Sequence, residues 1–143
     1  MTEKTATYEN DNIFAKILRG EIPCHNVYET DKVLAFMDIM PRSDGHTLVI
    51  PKAPCRNILD INPDDLTAVI QTVKTIGKAA ITVFAAQGLL IQQFNEAASG
   101  QEVFHLHFHI LPRQEGVELR PPGIMAEQDI LAEHATKLRN ALG

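Results

Sequence analysis

From His105 to Ile110 the sequence alternates residue by residue, with His105, His107 and His109 interleaved with Leu106, Phe108 and Ile110. A period of two belongs to an extended strand, whose successive side chains point to opposite faces. The pattern predicts a strand over Val103–Leu111 with an apolar face against a core and a second face carrying three imidazoles. Same-face neighbours on such a strand stand roughly 6.5–7 Å apart, and the outer pair roughly 13 Å. A half-buried strand of this kind needs antiparallel neighbours and a cover for its apolar side.

The rest of the chain offers both. Val27-Tyr28, Val33 to Ile39, Thr47 to Ile50 and Leu89 to Phe94 read as further strands, separated by turns at Glu29–Lys32 and by the loop Pro41–Gly45. The cover is a long helix. Asn62 is a good cap, Pro63 suits the first helical position, and Asp64 and Asp65 complement the helix dipole. Leu66, Val69, Ile70, Val73, Ile76, Gly77 and Ala80 then share one face, and Gly88 closes the element. Asp11-Asn12 can start a short helix bearing Ile13, Phe14, Ile17 and Leu18, which Gly20 ends. From Ala126 onward Leu131, Ala135, Leu138 and Leu142 mark a third, amphipathic helix.

These elements predict an α+β fold, an approximately five-stranded antiparallel sheet with one long helix across it and short helices towards the two ends. The chain has 143 residues and shows no repeat or linker, which suits a single domain over 11–143 behind a polar tail of residues 1–10. With 18 acidic against 13 basic residues the net charge is −5, so a nucleic acid has no global electrostatic reason to bind. No apolar run suggests a membrane span, and the first residues lack the layout of a secretory signal. Cys24 and Cys55 are too far apart for a CxxC clip and read as free thiols. A cytoplasmic protein is expected.

Three imidazoles on one face admit three chemistries. They can be a solvated polar stripe, an unusual use of histidine where Thr, Lys or Glu would serve. Two of them can ligate one zinc, with Glu102 or His46 completing the set in space. Or a neutral imidazole can attack phosphorus while a neighbouring imidazolium assists the leaving group. Strand geometry leaves these open.

The run His105-Leu106-His107-Phe108-His109-Ile110-Leu111 resembles the His-φ-His-φ-His-φ-φ signature of the histidine-triad (HIT) superfamily. Asn12–Pro23, Ala35–Ile39 and Gly45–Lys52 resemble it as well, as do Asn95 and Gly100-Gln101, so the likeness runs from Asn12 to Pro112. The subgroup most similar is the Hint type, whose members hydrolyse nucleoside phosphoramidates and related 5′-phosphoryl substrates. The resemblance implies that His107 is the nucleophile and that His109 contacts the phosphate and the scissile bond. It implies that His105 orders the triad, with His46 beside it. Asp38 would accept from the ribose hydroxyls, and Ile39 would lie close to sugar and base. Ile13, Phe14, Ile17 and Phe36 would line the slot for the base, while Asn95, Gly100 and Gln101 would position the phosphate. Taken by themselves, those four apolar residues read as plain core.

A homodimer acting on a purine nucleotide or nucleoside phosphoramidate, without a cofactor or a catalytic metal, is implied too. A dinucleoside-polyphosphate hydrolase of the same fold and a nucleotide-binding regulator with little turnover are the alternatives. Three departures stand out. Many relatives bind structural zinc through a CxxC whose positions here are Asn12 and Ala15. Glu102 stands where animal Hint proteins have a phosphate-contacting serine. The chain has no Trp to match their C-terminal one.

Overall fold

The computed structural model describes residues 7–143. In chain order the elements are α1 (Ile13–Leu18), β1 (Asn26–Glu29), β2 (Val33–Met37), β3 (Thr47–Pro51), α2 (Pro63–Val83), β4 (Gly88–Gln92), β5 (Phe108–Arg113) and α3 (Gln128–Leu142). The strands form one five-stranded sheet in the order β1-β2-β3-β5-β4, antiparallel at every junction. The α+β architecture expected from the sequence is the one observed. Most of the expected tail falls on residues 1–6, outside the described residues.

The caps act as their chemistry dictates. Asn12 Oδ1 accepts from the Ala15 amide at 2.9 Å and starts α1, and Asn62 Oδ1 accepts from Asp65 at 2.9 Å and starts α2. Helix α2 lies across the sheet together with α3, and Val69, Ile76, Leu131 and Leu138 are almost wholly buried there. Each such side chain contributes roughly 1.5–3 kcal/mol.

Both faces of the central strands β2 and β3 are buried, and that positions the site. On β2, Val33, Ala35 and Met37 face the core under α2, while Leu34 and Phe36 face the opposite way. There they join Leu48 and Ile50 of β3 beneath Phe14 of α1. Alternation on β5 sends Phe108 and Ile110 to the α2 side, so His109 lies on the α1 side.

Two expectations need correction. The strand predicted over Val103–Leu111 begins only at Phe108 and runs on to Arg113. Its partner β3 pairs from Thr47 to Val49 against Ile110 to Phe108, leaving no ladder for residues 103–107. That segment is held by single contacts instead, among them the Leu106 amide on Cys55 O at 3.0 Å. Helix α2 ends at Val83 rather than near Gly88, because Ala85 takes a positive φ of 49°. The Ala86 amide then reaches back to Ile81 O and that of Ala85 to Thr82 O, a left-handed helix ending that glycine usually supplies.

Candidate active site

His46 precedes β3, Asp38 follows β2, and the Asp38 amide bonds His46 O at 3.0 Å, so the two residues close one end of the β2–β3 pair. His109 sits in the ladder between Leu48 and Gln92. His107 and His109 have ring centroids 5.0 Å apart, and those of His46 and His109 are 5.2 Å apart. Phe14 stands edge-on to His107 at 4.8 Å and to Phe36 at 5.5 Å. The histidines thus gather on the α1 side although only His109 belongs to the strand. Loop contacts, not simple alternation, place His105 and His107.

Burial controls the charge of these rings. Desolvation lowers His46 from 6.5 to about 4 and His109 to about 3, and it pulls His105 and His107 down as well. All four are therefore neutral at neutral pH. A neutral imidazole has one N–H and one lone pair, so its partners assign the tautomer. The Arg42 amide donates to His46 Nδ1 at 3.1 Å, leaving the His46 proton on Nε2. That nitrogen lies 2.9 Å from His109 Nδ1, which must accept, so His109 carries its proton on Nε2. His107 Nδ1 donates to His105 O at 2.7 Å, and the lone pair of His107 is therefore on Nε2. His105 is saturated, with Nε2 donating to Pro51 O at 2.8 Å and Nδ1 accepting from the Tyr8 hydroxyl at 2.7 Å. The result is an unprotonated nitrogen on His107 beside an N–H on His109.

Asp38 Oδ1 holds the Met40 amide at 2.8 Å, and Oδ2 lies 3.4 Å from His46 Nε2. Donor atoms of Asp38, His46 and His109 all fall within 4.8 Å of one another, a spacing a cation can use. The protonation pattern opposes that use. To ligate through Nε2, His46 would have to move its proton to Nδ1, where the Arg42 N–H already points. The structural-zinc positions fit no better, since Asn12 Oδ1 caps α1 and Asn12 Nδ2 donates to Tyr8 Oη and Glu9 O.

The base-slot candidates, and Ile39 expected beside sugar and base, divide. Phe14 and Phe36 are buried in the α1-side core with Ile17 half-buried against it, whereas Ile13 is 41% and Ile39 38% exposed. Asn95 is pinned in place, its Oδ1 accepting from the Ile58 amide at 3.0 Å and from Gln93 at 2.8 Å. The Gly100 and Gln101 amides bond Ala97 O and Glu96 O within their own turn. Gln101 is buried, its side chain tying Glu96 N, Arg56 O and Val103 O together. Glu102 is exposed. Two surface cavities, about 210 and 290 Å³, are lined by Arg42, Phe84 and Arg113 and by Pro41, Ile130 and His134, and neither includes a triad histidine.

Sequence reasoning missed Tyr8, Arg56 and Asn57. Arg56 forks onto both Glu96 oxygens at 2.8 and 2.9 Å, and Asn57 donates to Glu96 at 2.6 Å. Together they hold Glu96 at a φ of 71°, a left-handed backbone that a glutamate adopts only under constraint. No local signal marks these partners, which lie about forty residues away in the chain.

The fold and the four-histidine cluster define a histidine-triad protein, and a model of the HIT domain matches residues 19–116. The chain belongs to that family. It is 38% identical over 112 residues to the adenylylsulfatase HINT3 of Arabidopsis thaliana, covering 78% of this chain and 57% of that protein's length. It is also 38% identical over 101 residues to the adenosine 5′-monophosphoramidase hnt1 of Schizosaccharomyces pombe, covering 71% and 73%. Its structure superposes at a TM-score of 0.92 and 55% identity on a Hit-like protein from Bartonella henselae crystallised with an unknown ligand, over 95% of this chain and 99% of that one.

Proposed function

We propose that the chain hydrolyses a nucleoside 5′-phosphoryl bond of the phosphoramidate type through a covalent nucleotidyl-His107 intermediate. The observation that carries the reading is the His107–His105 hydrogen bond, which leaves Nε2 as the one lone pair on His107, next to an N–H on His109. The names of the Arabidopsis and fission yeast relatives, an adenylylsulfatase and a monophosphoramidase, agree with a nucleotidyl substrate.

Binding of the anionic phosphoramidate drives a proton onto His46 Nδ1 against the Arg42 amide, and the His46 Nε2 proton passes to His109 Nδ1, so that His109 becomes the imidazolium. His107 Nε2 attacks phosphorus, the bond to the leaving nitrogen breaks, and His109 Nε2 hands its proton to that nitrogen. The positive charge developing on His107 strengthens its Nδ1–H bond to the His105 carbonyl. Water then attacks phosphorus, gives its proton to His109, and displaces His107 as the nucleoside monophosphate leaves. Asp38 is close enough to His46 and exposed enough to meet a ribose hydroxyl.

The test is to trap an acid-labile labelled nucleotide on the protein during turnover of an adenosine phosphoramidate. The adduct should form on the wild type and vanish in His107→Ala, with activity reduced about 10⁴-fold or more, the scale on which a removed covalent nucleophile acts. Wild-type protein that binds AMP but forms no adduct and turns over no phosphoramidate would be a binding module instead.

A further inference from the structure

We propose that Tyr8 is a positioning residue for the nucleophile, its hydroxyl fixing the His105 ring so that the His105 carbonyl aims His107. The inference rests on the reading of His107 given above. Tyr8 lies 97 positions from His105 in the chain, yet its O–H donates to His105 Nδ1 at 2.7 Å and the rings meet edge-on with centroids 5.5 Å apart.

His105 needs that donor for two reasons. Its ring is fully buried, and Tyr8 is the partner of Nδ1, so without the hydroxyl a buried acceptor stands empty. The segment 103–107 also lies outside the sheet ladder. The His105 carbonyl, which receives His107 Nδ1–H, is thus held by the ring's two anchors, Tyr8 and Pro51, and by the neighbouring Leu106 amide.

A second link ties this pin to α1. The phenol can accept while it donates, and Asn12 Nδ2 donates to Tyr8 Oη at 3.1 Å. The same Asn12 caps α1 through its Oδ1, and α1 carries Phe14, whose ring edge meets His107. The two supports of the nucleophile, a carbonyl on one side and an aromatic ring on the other, are joined through Asn12 and Tyr8. Burial keeps the phenol protonated by raising its pKa, so the donor persists above neutral pH.

Tyr8→Phe retains the ring and removes the donor. The expected result is an unchanged KM, a kcat lower by about three- to tenfold, the worth of one neutral hydrogen bond, and a slower burst of adduct. Histidine ¹⁵N spectra should show His105 Nδ1 moving from a hydrogen-bonded to a free acceptor. The acidic limb of kcat should shift to higher pH, because the ring is then easier to protonate.

Asn12→Asp is the second arm. It retains the cap oxygen but turns the donor facing Tyr8 into an acceptor that competes for the phenolic proton, so it should reproduce the kcat loss. A Tyr8→Phe protein with wild-type kcat, pH profile and His105 spectrum overturns the proposal. So does one that melts earlier but turns over normally below its transition. If the wild type forms no adduct, the catalytic reading fails on its own, and the ¹⁵N spectra still decide whether Tyr8 sets the His105 tautomer.

Discussion

At the scale of single residues, the site is a set of buried imidazoles that the fold keeps neutral, and this has a consequence for stability. Burial moves His46 from 6.5 to about 4 and His109 from 6.5 to about 3. In the unfolded chain both return to their ordinary value, so below it the unfolded state binds protons that the folded state refuses. Stability is therefore complete above about pH 6.5 and falls as the pH drops below it, the loss ending at about pH 4 for His46 and about pH 3 for His109, where the folded state takes up the proton as well. Across that window each histidine removes about 1 kcal/mol per pH unit. Urea midpoints taken from neutral pH down to about pH 5 should fall steadily, and the His46→Asn protein should fall with a shallower slope. A wild-type midpoint flat over that range would mean that the rings are not held neutral. The sequence made the four histidines visible by motif, but their charge state depends on burial that no motif encodes.

At the scale of elements, local signals were read correctly where capping chemistry and periodicity agree. Asn12 and Asn62 cap the helices they precede, and Val69, Val73, Ile76, Gly77 and Ala80 of the expected α2 face are buried, whereas Ile70 lies at its edge and is exposed. The misreadings share a cause, since each boundary is set by a partner distant in sequence. Strand β5 starts at Phe108 because β3 offers no rung before it. Gly88 is the nearest glycine to the end of α2, yet the chain reverses at Ala85 so that the Phe84 ring can fill the space against Gly45. An alanine held left-handed is strained by about 1–2 kcal/mol relative to glycine there. Ala85→Gly should therefore stabilise the protein by about 0.5–1 kcal/mol after the entropy cost of glycine, raising Tm by roughly 2–4 °C. Calorimetry reads this directly, and a lower Tm would show that the left-handed turn is not strained.

At the scale of the whole molecule, the site sits where the central strands β2 and β3 are buried on both faces. From the sequence, one helix-covered face was legible, and Phe14 and Phe36 read as core; that they join Leu34, Leu48 and Ile50 in a second core on the opposite face was not legible. Five consecutive buried residues on β2 carry no alternation to read, so the face each one serves emerges only from pairing. The same two-sidedness couples stability to catalysis at one position. Leu106 lies between His105 and His107 and is fully buried in the α2-side core, in a segment without ladder bonds to hold it. Ile76 is equally buried in that core but projects from α2. Truncating either to alanine should cost about 2–5 kcal/mol. Only Leu106→Ala should also lower kcat when both proteins are assayed well below their transitions, because the cavity it leaves lets the backbone carrying the His105 carbonyl move. Equal kcat losses in the two variants would mean that the site responds to global softening. A loss confined to Leu106→Ala would mean that packing beneath the 103–107 segment is what aims the nucleophile.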